Sequence, residues 1–200
     1  MRSRYLEASE VQALRSALSV EDWLPFWVAL ETGLRIGDVV GLRRASVKED
    51  GIHYRAQKTR KCGVAPISAA LRRALPKSGK YLFPSPYKAG EHLTRQAAWS
   101  RLKRAGKRGG VDLAGVSPHA LRKVFAVELY RERGFNAVKS ALQHRNGATT
   151  EIYSFADWST GKNADKPLTR RDLQLVVKMV LEALGDISIP KESRAKGVRK

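Results

Sequence analysis

One stretch of this chain alternates clearly, and that fixes how little sheet it can form. Across residues 51–67, Ile52, Tyr54 and Ala56 alternate with polar residues, then Thr59-Arg-Lys-Cys-Gly63 intervenes, and Val64-Ala-Pro-Ile67 follows. A period of two puts successive side chains on opposite faces of a strand, so two such runs about a polar turn read as a β-hairpin with a basic tip. The expected fold is therefore mixed, mainly α with a small antiparallel β-sheet.

The helical segments carry their own punctuation. Ser9-Glu-Val-Gln12 reads as a capping box opening a helix with Val11, Leu14 and Leu18 on one face. A strongly apolar helix is expected over 22–31, with Pro25 in its first turn and Gly33 as its stop, then a shorter one over 35–42. Residues 68–75 read as helix, and Pro84-Ser-Pro86 breaks the chain. Thr94 caps a basic helix to about Lys107, ended by Gly109-Gly110. Ser117-Pro118 opens a helix with Leu121, Phe125 and Leu129 on one face, closed by Gly134; 136–142 and 149–154 are shorter helices. Thr169 caps a last amphipathic helix through Leu173, Val177, Val180 and Leu184. Trp23, Trp27 and Trp99 are expected in the core, and Cys62 as an unreactive thiol.

Two hundred residues suit one domain, here expected over 1–186 with a disordered basic tail over 187–200. A single cysteine excludes an internal disulfide framework, and no apolar run is long enough to span a bilayer. The N-terminal MRSRYLEASEVQAL turns polar and acidic too early for a signal peptide, so a cytoplasmic protein without membrane association is expected. The formal charge is +19, with 17 basic against 9 acidic residues in the first hundred and 21 against 10 in the second. The excess is spread through a chain of ordinary hydrophobic content (42%), which points to a polyanionic partner, double-stranded DNA first.

The chemistry-bearing residues narrow the class. The four histidines are scattered, carboxylates are few, and no phosphate loop or Cys-x-x-Cys occurs, so neither a metal nor another cofactor is implied. A basic protein of this kind can still cut DNA through a side-chain nucleophile. Arg35 stands in Thr32-Gly-Leu-Arg-Ile-Gly-Asp38, with Asp38 placed to orient its guanidinium. His119 and Arg122 are three apart in Pro118-His-Ala-Leu-Arg122, the spacing of neighbours on a helix face. His144 follows, then Tyr153 nine residues later, and Lys58 stands in the hairpin.

Taken in this order, Arg35, Lys58, His119, Arg122, His144 and Tyr153 resemble the active-site set of the tyrosine recombinases, or phage integrase family, over roughly residues 5–155. The resemblance implies the catalytic-domain fold of that family. It also implies a site-specific recombinase that breaks and rejoins DNA through a 3′-phosphotyrosyl intermediate. Tyr153 would be the nucleophile, Arg35 and Arg122 the phosphate clamps, and His119 the general base. His144 would donate a hydrogen bond to a phosphate oxygen, and Lys58 would protonate the departing 5′-oxygen. The phosphotyrosyl bond retains the energy of the cleaved linkage, so ligation needs neither ATP nor metal.

Arg43, Arg44, Arg60, Lys61, Arg101, Lys103, Arg104 and Lys123 are the expected DNA contacts, and tetrameric self-association on paired sites is implied. The alternatives are a DNA-binding regulator with decayed catalysis and strand relaxation of the type IB topoisomerase kind. The chain departs from the family pattern at Gln143, where glycine is usual, and at Lys123-Val124. It also shows no separate N-terminal core-binding domain, which fits a short recombinase or the catalytic part of a longer one.

Overall fold

The computed structural model describes residues 4–142, apart from the side chains of Phe135 and Lys139. The expected nucleophile Tyr153, His144, the helices over 149–154 and 169–184 and the tail lie outside the described residues. In chain order the elements are α1 (Ala8–Ser16), α2 (Val20–Thr32), α3 (Ile36–Val40), β1 (Val47–Lys48), β2 (Gly51–Arg55), β3 (Cys62–Ala65), α4 (Ala69–Ala74), α5 (Arg95–Arg108) and α6 (Ala120–Leu142). A 3-10 turn, Arg44–Ser46, leads into β1.

α2 is the central element. It packs against α3, α4, α5 and α6, and its Phe26, Val28 and Ala29 are fully buried. It begins two residues before the expected start because the Ser19 hydroxyl accepts a hydrogen bond from Asp22 N at 3.2 Å. Pro25 thus lies inside the helix rather than in its first turn. Gly33 ends it in the left-handed conformation, φ +65°, as expected.

The start of α1 also moves. Glu7, not Ser9, is the capping residue, and the Glu10 carboxylate accepts from Glu7 N at 2.8 Å. Arg4 binds the same carboxylate at 2.7 and 2.9 Å and reaches the carbonyl of Ala114 at 3.3 Å. One guanidinium therefore fastens the N-terminal strap to the segment leading into α6. Trp23 is buried as expected, whereas Trp27 and Trp99 are half-buried.

The hairpin forms with Ile52 opposite Ala65 and Arg55 opposite Cys62, and β1 adds a third antiparallel strand through Val47 opposite Ile52. α5 has its expected cap, Thr94, which accepts from Ala97 N at 3.1 Å, and Ser68 caps α4 by accepting from Leu71 N at 3.1 Å. α6 starts at Ala120, because the Ser117 hydroxyl turns the chain back by accepting from His119 N at 3.3 Å. Gly134 interrupts it with φ 74° and ψ −174°, so two helical pieces meet there, as its glycine implied. Leu121 joins the main core. Phe125 and Leu129 pack instead on a smaller cluster of Ala126, Val138 and Leu142.

Candidate active site

The site is a cleft of about 850 Å³ between α3, the hairpin tip, the start of α5 and the turn before α6. Four separate segments supply its walls, including Arg35, Asp38, Lys58, Arg95 and His119. Asp38 is the one carboxylate among the described lining residues.

Arg35 sits at the N-cap of α3 with extended backbone (φ −67°, ψ 140°). A cation at a helix N-terminus gains nothing from the helix dipole and repels it slightly. The placement instead sets the Arg35 guanidinium at the wall of the cleft. Arg95 repeats the arrangement in the first turn of α5, after the Thr94 cap.

Asp38 is nearly buried, and its Oδ1 accepts from Gln57 N at 2.9 Å. Gln57 Nε2 donates in turn to the carbonyl of Gly37 at 3.2 Å. The expectation that Asp38 orients Arg35 gives way to a different role: the carboxylate anchors the hairpin to α3 one residue before Lys58. The Gln57 N–H lies in the turn beyond β2 and has no ladder partner, and a buried acceptor from α3 supplies one.

The tip is closed by Arg60 N donating to Ala56 O at 2.8 Å and Ala56 N to Lys61 O at 2.9 Å. Closure places Arg60 in the left-handed region, φ 58°. Arg60 and Lys61 project into solvent beside Lys58.

His119 precedes α6 and lines the cleft. Partial desolvation pushes its imidazole below the usual histidine range, and the positive charges of Arg35, Arg122, Arg95 and Lys58 push it further the same way. Four cations from four segments thus act on one ring and disfavour its charged form.

Arg122 does not take the expected place beside His119 on one helix face. It is buried, with Nη1 donating to the Gly33 carbonyl at 2.6 Å and Nη2 to the Leu142 carbonyl at 2.9 Å. It is not among the described lining residues of the cleft, and its charge acts on His119 and on Tyr54. Burial pushes the Tyr54 phenol up; the Arg122 charge opposes this and Asp38 adds to it.

The expected DNA contacts divide. Arg43, Arg44, Lys103 and Arg104 are exposed, and Lys123 is half-buried on α6. Arg101 is paired with Asp22 at 2.6 Å and lines a second cavity of about 550 Å³, which shares no described lining residue with the first. Its charge serves the α2–α5 junction.

His92 and Arg95 line the cleft and carry no site role in the sequence reading. His92 is held by its Nδ1 to the Leu93 carbonyl at 2.8 Å and by an edge-on contact to Tyr81, with ring centroids 5.2 Å apart. The one local signal for Arg95 was its position immediately after a threonine cap, a charge of the unfavourable sign for that helix end.

The family model for the phage integrase family matches residues 4–159. Tyrosine recombinase XerD of Rhizobium meliloti (strain 1021) is 33% identical over 138 residues, covering 62% of this chain and 43% of the relative. The chain spans about half the length of the curated relatives it matches. Among solved structures, XerA recombinase superposes with a TM-score of 0.65 at 22% identity, covering 90% of this chain and 66% of that one. A lambda integrase tetramer bound to a Holliday junction gives 0.66 at 19% identity, covering 76% of this chain and 48% of that one. Their likeness is one of fold: helices around a small antiparallel sheet.

Proposed function

Because the chain belongs to the phage integrase family, we propose that it is the catalytic domain of a site-specific DNA recombinase, spanning residues 1–186 and acting in the cytoplasm on double-stranded DNA. The observation that carries this reading is the surround of His119, where Arg35, Lys58, Arg95 and Arg122 converge from positions up to 87 residues apart on a neutral imidazole. Arg35, Lys58 and Arg95 line one cleft, where like charges repel, and the two carbonyls that Arg122 binds do not neutralise them. A phosphodiester supplies the missing charge.

In this reading Tyr153 Oη attacks the scissile phosphorus, and the Oη–P bond forms as the P–O5′ bond breaks. The phenolic proton passes to His119, which is neutral at pH 7 and so has a ring nitrogen free to accept it. Arg35 and Arg122 share the charge that develops on the non-bridging oxygens, and His144 donates a further hydrogen bond. Lys58, presented by the anchored hairpin, gives a proton to the departing 5′-oxygen. Attack by a 5′-hydroxyl on the phosphotyrosine reverses each step and seals the strand. Arg43, Arg44, Arg60, Lys61, Lys103, Arg104 and Lys123 hold the flanking phosphates, and four copies assemble on paired sites.

Sequencing DNA trapped covalently on the protein tests this reading. Adducts clustered at one sequence are the expected result. Adducts scattered along the DNA would mark a relaxing enzyme, and their complete absence would mark a DNA-binding regulator.

A further inference from the structure

Arg122 holds two distant carbonyls where a phosphate ligand needs none. Its guanidinium joins Gly33 and Leu142, which are 89 and 20 residues from it in sequence. The same three segments meet through apolar atoms. A Cβ on Gly33 would lie 2.3 Å from Phe125 Cδ1 and 2.9 Å from Leu142 Cδ2, so the turn fits only as glycine. The second piece of α6 needs such a tie. Gly134 breaks its continuity with the first piece, and among the described residues Val138 and Leu142 pack with Ala126 in a small apolar cluster, with Phe125, Leu129 and Tyr130 at its edge.

We propose that Arg122 is a positioning residue as well as a phosphate ligand: it ties the turn carrying Arg35 to the end of α6, from which the chain continues to His144 and Tyr153. The roles of Arg35 and Tyr153 rest on the functional reading above; the tie does not. A guanidinium has several donors in a fixed fork, so bonding two carbonyls is compatible with contacting a phosphate. Through one side chain, the clamp at Arg35 and the entry to the nucleophile's segment share a fixed reference. Lysine keeps the charge but offers one nitrogen, which cannot span both carbonyls in the same geometry.

Hydrogen exchange on the DNA-free full chain tests the tie. In Arg122→Lys the amides of residues 135–142 are expected to exchange about tenfold faster or more, the scale of losing a charged hydrogen bond. Those of β2 and β3 stay unchanged, and Arg35→Lys leaves the 135–142 amides at their wild-type rate. Phe125→Leu loosens the same knot without touching a charge. It should slow adduct formation on a nicked suicide duplex while leaving the Kd for that duplex unchanged. Wild-type exchange at 135–142 in Arg122→Lys would overturn the tie and leave Arg122 as a phosphate ligand alone. Equal loss of affinity and rate in Phe125→Leu, with faster exchange in β2 and β3, would overturn the positioning role. A wild-type chain that forms no adduct would overturn the functional reading, while exchange at 135–142 would still decide the tie.

Discussion

The Asp38 carboxylate accepts a hydrogen bond from the backbone N–H of Gln57 at 2.9 Å, joining α3 to the hairpin tip across 19 residues of sequence. The bond lies one residue from Lys58 and three from Arg35, so a single buried acceptor sets the distance between two functional groups. Removing it in Asp38→Ala leaves a peptide N–H without its partner, a loss of about 1–3 kcal/mol. The expected result is a matching fall in unfolding free energy together with slower cleavage at saturating DNA. Denaturant unfolding and single-turnover cleavage measure the two effects. Unchanged cleavage in a destabilised variant would limit Asp38 to the fold.

The pH dependence follows from His119. Its folded-state affinity for a proton is lowered by desolvation and by Arg35, Arg122, Arg95 and Lys58, below the ordinary value of 6.5. A depressed value means that the unfolded chain binds the proton more tightly. The stability contribution is therefore present above pH 6.5 and is lost as pH falls through the folded value. The acid limb of cleavage at subsaturating DNA should likewise be centred below 6.5. Arg95→Ala removes one of the repelling charges and should move that limb upward; no movement would place Arg95 too far away to act on the ring.

Lys58 is assigned to proton donation. A substrate with sulfur in place of the bridging 5′-oxygen has a leaving group that needs no proton. Lys58→Ala should therefore recover its cleavage rate on that substrate, while Arg35→Ala should remain slow by about 10²-fold or more, the scale of losing a preorganised donor to a developing oxyanion. Recovery by Arg60→Ala or Lys61→Ala instead would move the acid along the hairpin.

Arg60 adopts φ 58°, a conformation that costs a non-glycine residue about 1–2 kcal/mol. Arg60→Gly relieves that cost and adds some chain entropy to the unfolded state, so a net gain of about 0.5–1 kcal/mol is expected. If Arg60 holds a phosphate as proposed, the same change lowers the slope of log K against log salt by about one. Thermal unfolding and salt-dependent binding read the two consequences separately. A destabilised Arg60→Gly would show that the tip holds Arg60 through its side chain.

How far the sequence revealed this arrangement depended on how local each cause was. Ser68, Thr94 and Gly33 mark their helix ends through bonds within one turn, and each is where pattern placed it. The start of α1 departs from the Ser9 pattern because a glutamate, Glu7, caps it and Glu10 completes the box, in place of the commoner serine. β1 was missed because two residues are too few to show a period. Arg35, Lys58 and His119 were legible because short motifs surround each of them. The Arg122 ties to Gly33 and Leu142 and the Asp38 bond to Gln57 were not, since they join segments far apart in sequence. Arg101 carries the same charge as its neighbours on α5, and only the packing of α5 against α2 shows that Asp22 engages it.

The central claim is that this cleft serves a tyrosine nucleophile. The most direct test is to digest the covalent complex formed on a nicked suicide duplex and identify the modified peptide by mass spectrometry. The result expected is a 3′-phosphonucleotide on Tyr153, present in the wild-type protein and absent from Tyr153→Phe, which still binds the duplex. A phosphonucleotide on another residue, or an undiminished adduct in Tyr153→Phe, would contradict it.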